Sequence, residues 1–264
     1  MRRRSGRVRR GRFVCWPAVD NGGGAEQCLG VTSLPPYHVD WQCADVVAPA
    51  HASGFTTHYP VRLTDGCHLC LPLTPLPGGQ QAVALLMSNQ TSFAVERNLV
   101  ERMTEQARAL APEVVVGVPT LGLTYARPVA EAIGLGDFVA LGHSRKFWYD
   151  DALSEPVNSI TSPELGKQLR LDPNLLTLIR GKRVALVDDA ISTGATAVAA
   201  VRLLRKAGAE IAGMIVAMKQ TNRWEAPVAA LSAPFAVRAV YGCPLFLHSD
   251  AGWIPLTETQ PSVP

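Results

Sequence analysis

From position 95 onward, apolar residues first recur at helical spacing, at Leu99, Met103, Ala107 and Leu110, and then merge into an unbroken apolar run over 114–118. The first pattern predicts a helix with one buried face. The second predicts a strand buried on both faces, and Pro112 separates the two. A further helix is expected through Ala126, Val129, Ala130 and Ile133, stopped at Gly134 or Gly136. Apolar runs at 138–141, 184–187 and 211–218 predict three more strands, and 195–207 a helix closed by Gly208. Each link between strands is long enough to hold a helix, so the predicted class is α/β, a parallel sheet flanked by helices.

Upstream the period changes to two. Residues 59–64 and 67–73 read as short strands joined by Asp65-Gly66, a hairpin turn signal, and 82–87 as a third strand. This predicts a smaller, mostly antiparallel lobe. Ahead of it, Gly22-Gly23-Gly24 and Pro35-Pro36 mark loop. These shifts divide the chain into a basic arm over 1–12, an extension and small hood lobe over 13–94, an α/β core over 95–218 and a C-terminal hood or closing segment over 219–264.

With 264 residues, 47% of them hydrophobic, the chain has material for one large core or a core with a smaller lobe. No stretch approaches the roughly 20 apolar residues a bilayer span needs, and no apolar run follows the basic start, so neither membrane nor secretion is expected. The expected compartment is the cytoplasm. The net charge of +3 is uneven: Arg2, Arg3, Arg4, Arg7, Arg9, Arg10 and Arg12 precede Phe13 with no acid among them. Such an arm suits an anionic surface or is a dispensable terminus; nothing else in the chain reads as a nucleic-acid footprint, and no nucleic-acid partner is expected. Cys67 and Cys70 have the spacing of half a zinc knuckle, but Cys15, Cys28, Cys43 and Cys243 are scattered. The six are read as thiols of a reducing compartment, with no protein metal site.

In parallel sheets ligands gather beyond the C-terminal strand ends, which directs attention to loops 119–123, 142–165, 188–196 and 219–224. In the third, Asp188-Asp189 closes an apolar strand and Ile191-Ser192-Thr193-Gly194-Ala195-Thr196 opens a helix. Small and hydroxylated residues let a backbone wrap a phosphate, and the helix terminus favours its charge. Two adjacent carboxylates repel unless something compensates them; sugar hydroxyls and a ligand-borne Mg²⁺ would do so. A P-loop is excluded, because no Gly-Lys-Ser/Thr follows the glycine.

The segment 184–196 resembles the binding motif for 5-phosphoribosyl 1-diphosphate (PRPP) of the type I phosphoribosyltransferases: four hydrophobic residues, two acids and a Thr-Gly phosphate loop. The resemblance covers about 95–218 and implies that fold, with the small lobe as its hood. It assigns Asp188 and Asp189 to the ribose hydroxyls. Ser192, Thr193, Gly194, Ala195 and Thr196 go to the 5-phosphate, with Ala190 and Ile191 completing the PRPP-binding segment. Ser144-Arg145-Lys146 is similar to the family's cationic pair before a mobile loop, with Lys146 expected on the leaving diphosphate and Arg145 second. Val118-Pro119-Thr120-Leu121-Gly122 resembles the diphosphate loop, although family members acting on purines often carry a charge where Thr120 and Leu121 stand. Trp148 to Asp151 and Ser159-Ile160-Thr161-Ser162 occupy the position of the closing loop. Met218-Lys219-Gln220-Thr221 resembles the stretch with which the hypoxanthine-guanine branch contacts a 6-oxo group, so Lys219 is expected on the base, with Trp224 or Trp148 stacking on its ring.

The implied activity is transfer of 5-phosphoribose from PRPP to a nitrogenous base, a purine or purine-like one, with release of diphosphate. The implied cofactor is Mg²⁺ bound mainly through PRPP, and the implied assembly a homodimer. The alternative is a regulator that senses PRPP or a base on the same fold, although residues 1–90 do not read as a winged helix. A PRPP synthase would want a duplicated domain and an ATP site, and a ComF-like competence protein a Cys-rich zinc module.

Overall fold

The computed structural model describes residues 40–42, 54–63, 67–157 and 167–263. The arginine arm, both turn signals at 22–24 and 35–36, the Asp65-Gly66 turn and Ser159–Ser162 lie outside the described residues.

The larger sheet is built from β5 (Val114–Gly117), β6 (Val139–Ala140), β9 (Arg183–Ile191), β10 (Glu210–Gln220) and β11 (Val237–Cys243). Its order is β11-β10-β9-β5-β6, and every pair is parallel. The crossovers contain α1 (Phe93–Leu110) before β5, α2 (Leu123–Ala132) between β5 and β6, and α4 (Ala195–Lys206) between β9 and β10. Shorter helices, α3 (Leu176–Ile179) and α5 (Glu225–Ala229), precede β9 and β11. The chain runs from β5 outward to β6 and then returns to build β9, β10 and β11 on the other side. The order therefore reverses between β5 and β9, which opens a crevice at their C-terminal ends.

Local sequence accounts for these elements. α1 starts at Ser92, whose hydroxyl accepts the Val95 N–H at 3.3 Å, an N-cap bond, and it buries Val95, Leu99, Met103, Ala107 and Leu110 as one stripe. It ends where Ala111 turns to φ +46 and its N–H returns to Ala107 and Arg108, ahead of Pro112. Gly134 and Gly208, both at positive φ, follow α2 and α4 as predicted stops.

The smaller sheet combines β1 (Asp40–Gln42), β2 (His58–Arg62), β3 (His68–Pro75) and β4 (Gln81–Ala84) with β12 (Leu245–Ser249) and β13 (Gly252–Leu256). All its pairings are antiparallel, and β12 bonds β4 in the register Leu245 to Val83 and Phe246 to Ala82. This is the expected antiparallel hood, and its last two strands come from the far end of the chain, within the segment read as hood or closing segment. A third pairing, β7 (Ser154–Pro156) with β8 (Gln168–Arg170), was not anticipated either.

Two hydrophobic clusters sandwich the parallel sheet. One joins α1 and α2 to the hood through Leu69, Leu71, Leu73, Phe246 and Trp253; the other joins α4 to the ribbon through Leu153, Leu169 and Leu171. Among the described residues no helix is long and apolar enough to cross a membrane.

Phe246 is fully buried and meets Tyr59 and Phe55 edge-on at 4.9 and 6.3 Å. Its truncation in Phe246→Ala should cost about 3–5 kcal/mol, measured by urea unfolding. Because the cluster spans hood and helices, we expect one transition shifted as a whole. Separate loss of a hood signal, with the remainder unmoved, would contradict a shared core.

Candidate functional site

Three loops converge on the crevice between β5 and β9. The strand β9 runs past the end of β5, so Asp188 and Asp189 fall at its C-terminal end, with Asp188 opposite Val216 of β10. Asp188 is buried and Asp189 half-buried. The Asp188 carboxylate accepts the Asp189 N–H at 2.9 Å. Burial, and then the neighbouring Asp189 charge, push its pKa well above the usual carboxylate range, only partly opposed by the N–H groups of Asp189 and Gly122. Burial also raises Asp189. The pair thus stands under electrostatic pressure that a cation or a set of hydroxyl donors would relieve.

Beyond β5, the loop of Thr120, Leu121 and Gly122 turns across this pair, and the Pro119–Thr120 peptide is cis. A Cβ on Gly122 would lie 2.6 Å from both Asp188 Oδ1 and the Val118 carbonyl oxygen. Only glycine lets the two loops approach so closely. Sequence spacing placed Gly122 and Asp188 in different loops; the sheet brings them into contact.

The segment from Ala190 through Ile191 to Ser192, Thr193 and Gly194 leads into α4 at Ala195 and Thr196. Gly194 has φ +79, and a Cβ there would meet the Trp224 backbone at 3.3 Å. Thr193 Oγ1 lies 3.5 Å from the Ala195 nitrogen. The first-turn N–H groups of α4 have no partner within the helix, and together with the Ser192, Thr193 and Thr196 hydroxyls they supply donors suited to an anion.

The cationic segment is divided in its commitments. Arg145 donates twice to Asp151, through Nε at 3.0 Å and Nη2 at 3.2 Å, and Arg170 joins the same carboxylate at 2.8 Å. These contacts hold the Asp151 carboxyl below its ordinary range. Lys146 is exposed and forms no ion pair among the described residues. Trp148 donates through Nε1 to Asp172 at 3.0 Å and packs edge-on to Phe147 and Tyr149. None of these bonds reaches the acid pair.

Lys219 occupies a position its sequence did not suggest. It is 3% exposed, donates from Nζ to the Ser262 carbonyl at 2.9 Å, and sits 5.2 Å from the centre of the Trp224 ring. Burial lowers its pKa, Glu225 partly restoring it. Trp224 is itself 8% exposed. Lys219 is therefore engaged by the chain's last residues, where Gln260 also bonds the Gly242 carbonyl and Pro261 lies against Gly242, while Trp224 packs against Lys219 and Gly194.

Sequence patterning missed three polar groups behind the acid pair. The hydroxyls of Ser88, Tyr125 and Tyr241 are buried, and those of Ser88 and Tyr125 face each other. Burial raises both phenols; the Ser88 hydroxyl partly offsets this at Tyr125, Cys243 adds to it at Tyr241, and the Asp189 charge adds a smaller rise to each. Tyr125 was hidden within a helix read as core. Tyr241 lies on a strand that apolar periodicity had not marked.

The phosphoribosyl transferase domain family matches residues 86–234. The adenine phosphoribosyltransferase of Desulfitobacterium hafniense is 33% identical over 118 residues, which is 45% of this chain and 64% of that protein. For its counterpart from Novosphingobium aromaticivorans the identity is 37% over 117 residues, 42% of this chain and 59% of that one. The chain thus spans about three-fifths of these relatives' length. Among solved structures, adenine phosphoribosyltransferase from Thermoanaerobacter pseudethanolicus matches with a TM-score of 0.54 at 17% identity, covering 65% of this chain and 95% of that one. The Rhodothermus marinus enzyme of the same name matches with a TM-score of 0.50 at 22% identity, covering 65% and 93%. At such identities the likeness concerns the fold.

The raised Asp188 pKa has a consequence for stability. The folded state holds its proton more tightly than the unfolded chain does, so stability is greatest below the unfolded value near 4 and declines as pH rises toward the folded value. Asparagine keeps the acceptor oxygen without the charge. Asp188→Asn should therefore raise Tm at pH 8, with the gain shrinking toward pH 4 in thermal denaturation. A lower Tm at pH 8 would show that the charged form is the one the fold stabilises.

Proposed function

The chain belongs to the phosphoribosyl transferase domain family, and from that membership we propose that it is a PRPP-dependent phosphoribosyltransferase acting on a purine base. The observation that carries the proposal is the acid pair at the end of β9, joined directly to the anion cradle at the start of α4, in the crevice where the sheet order reverses. That arrangement suits a ligand with vicinal hydroxyls on one side and a phosphate ester on the other. The purine choice is supported by the names of the relatives, which are adenine phosphoribosyltransferases.

On this reading the 5-phosphate is held by Ser192, Thr193, Gly194, Ala195 and Thr196, and the ribose hydroxyls by Asp188 and Asp189. The diphosphate lies along the backbone of Thr120, Leu121 and Gly122. The bond from C1 to the diphosphate oxygen breaks with its electron pair, and a ring nitrogen of the base bonds C1 from the opposite face, with inversion. That nitrogen's proton passes to solvent. Lys146, with its charge uncommitted, neutralises the departing diphosphate, whereas Arg145 is engaged by Asp151. The carboxylates favour positive charge developing on the sugar.

Among the described residues no group of three or more His, Cys, Asp or Glu could hold a metal ion. The carboxylate oxygens of Asp188 and Asp189 fit a hard cation that brings most of its ligands with it, as Mg²⁺ on a diphosphate does. When bound, Mg²⁺ would supply charge neutralisation to the leaving group. Lys219 and Trp224 are not assigned to the base here, because Lys219 is bonded to the Ser262 carbonyl and Trp224 is buried against Lys219 and Gly194.

A non-catalytic regulator that senses PRPP or a base is the second reading; it would accommodate a Lys219 engaged by the Ser262 carbonyl. The two separate on diphosphate release. With PRPP, Mg²⁺ and a panel of adenine, hypoxanthine, guanine and orotate, we expect release with a purine and none with orotate. Lys146→Ala should lower kcat/KM by about 10²–10³ for every accepted base, and Arg145→Ala by less than about 10-fold. Binding of PRPP or a base without release would establish the sensor; binding of neither would end both readings.

A further inference from the structure

The anion cradle described above carries no positive side chain of its own. Ser192, Thr193, Gly194, Ala195 and Thr196 are all neutral, and two carboxylates stand just upstream. The terminus of α4 supplies about half an elementary charge. A phosphomonoester is dianionic, so a full positive charge nearby is chemically called for.

One residue supplies it from a different loop. After β10, Thr221 is fully buried at φ +64, with its N–H bonded to the Cys243 carbonyl at 2.8 Å. That left-handed turn is unfavourable for a β-branched residue. It reverses the chain so that residues 222–224 pass beside the start of α4, where the Trp224 backbone packs on Gly194. Arg223, exposed at the head of this turn, is held at two points. Its Nε donates to Thr221 Oγ1 at 3.1 Å and its Nη2 to Ser192 Oγ at 3.2 Å. Two of its five N–H donors are thereby used, and three remain. No carboxylate pairs with it among the described residues. A preset, unpaired guanidinium bonded to a hydroxyl of the cradle has the geometry of a phosphate clamp rather than a solvated charge.

We propose that Arg223 is the charged residue of the 5-phosphate site, donating to the ester oxygens of a ligand seated on Ser192 and the first turn of α4. The proposal rests on the PRPP reading for the identity of the ligand. It adds to that reading a cation outside the acid-loop segment and predicts a specific preference for 5-phosphorylated sugars over their unphosphorylated forms.

The two halves of PRPP separate the possibilities. Calorimetric binding of ribose 5-phosphate, of Mg²⁺-diphosphate and of Mg²⁺-PRPP is measured for the full chain and for Arg223→Ala, Arg223→Lys and Arg223→Glu. Arg223→Ala should weaken ribose 5-phosphate and PRPP by a common factor of about 10–100, leave diphosphate unchanged, and raise KM for PRPP more than it lowers kcat. Arg223→Lys should recover part of the loss and Arg223→Glu deepen it, all at an unchanged Tm. Equal ribose 5-phosphate affinity in wild type and Arg223→Ala would overturn the assignment while leaving the transferase reading intact. Clear ribose 5-phosphate binding that depends on Arg223, without diphosphate release from PRPP, would uphold the assignment and remove the transfer. A wild-type protein that binds none of the three ligands would overturn both.

Discussion

A buried pair of adjacent carboxylates is the constraint around which the crevice is organised. Asp188 and Asp189 lie in the central strand of a parallel sheet, past the end of its neighbour β5, where no positive side chain among the described residues forms an ion pair with them, and both are pushed toward their neutral forms. A fold selected for stability alone would replace them. They are tolerated because the N–H groups of Asp189 and Gly122 reach Asp188 and because Gly122, lacking a Cβ, lets the neighbouring loop close on them. The same unfavourable charge is what a cation-bearing diphosphate ester with free hydroxyls relieves on binding, so the strain and the proposed affinity have one origin.

Hood and sheet are not independent layers joined by a linker. The strand β12 pairs with β4 and places Phe246 in a cluster that includes Leu69 and Leu71 of the hood and Leu99 and Met103 of α1. This packing ties the first and last thirds of the described chain to one face of the parallel sheet. It leaves the opposite face to α4, whose last turn is anchored on the short ribbon through the Lys206–Glu155 ion pair. The proposed phosphate cradle thus sits on a helix fixed at both ends. At its start Gly194 lies against Trp224; at its close a basic side chain near the helix C-terminus meets a nearly buried carboxylate.

The cations around the crevice divide by what already holds them. Lys219 is turned inward onto Trp224 and the Ser262 carbonyl, and Arg145 is clamped by Asp151. Lys146 and Arg223 keep donors to spare. Side-chain type alone does not make that distinction, since all four lie in loops or strand ends facing the ligand side of an α/β sheet. A charge already paired within the chain has little left to offer a ligand, whereas an unpaired one has its full interaction in reserve.

Much of this was legible from local pattern. Runs of Val, Leu and Ile bounded by helical periodicity determined the alternating core, because a strand covered on both faces has no polar side to show. Pro112 and Gly208 marked helix ends through the backbone conformations they favour, whereas the Ser92 cap emerged only from the structure. The acid pair and the Thr-Gly loop were visible because their chemistry is contiguous, read from thirteen consecutive residues at 184–196. What the linear order could not carry were contacts between distant segments. The register of β12 on β4, the approach of Gly122 to Asp188, and the burial of Lys219 under the chain's last residues each depend on where the sheet brings two strand ends. Arg223 is the sharpest case: in sequence it is one more charge after a strand, and only the positive φ of Thr221 turns it onto Ser192, thirty-one residues earlier. Local propensity depends on neighbours along the chain, whereas a binding site depends on neighbours in space, and the sheet's strand order is what converts one into the other.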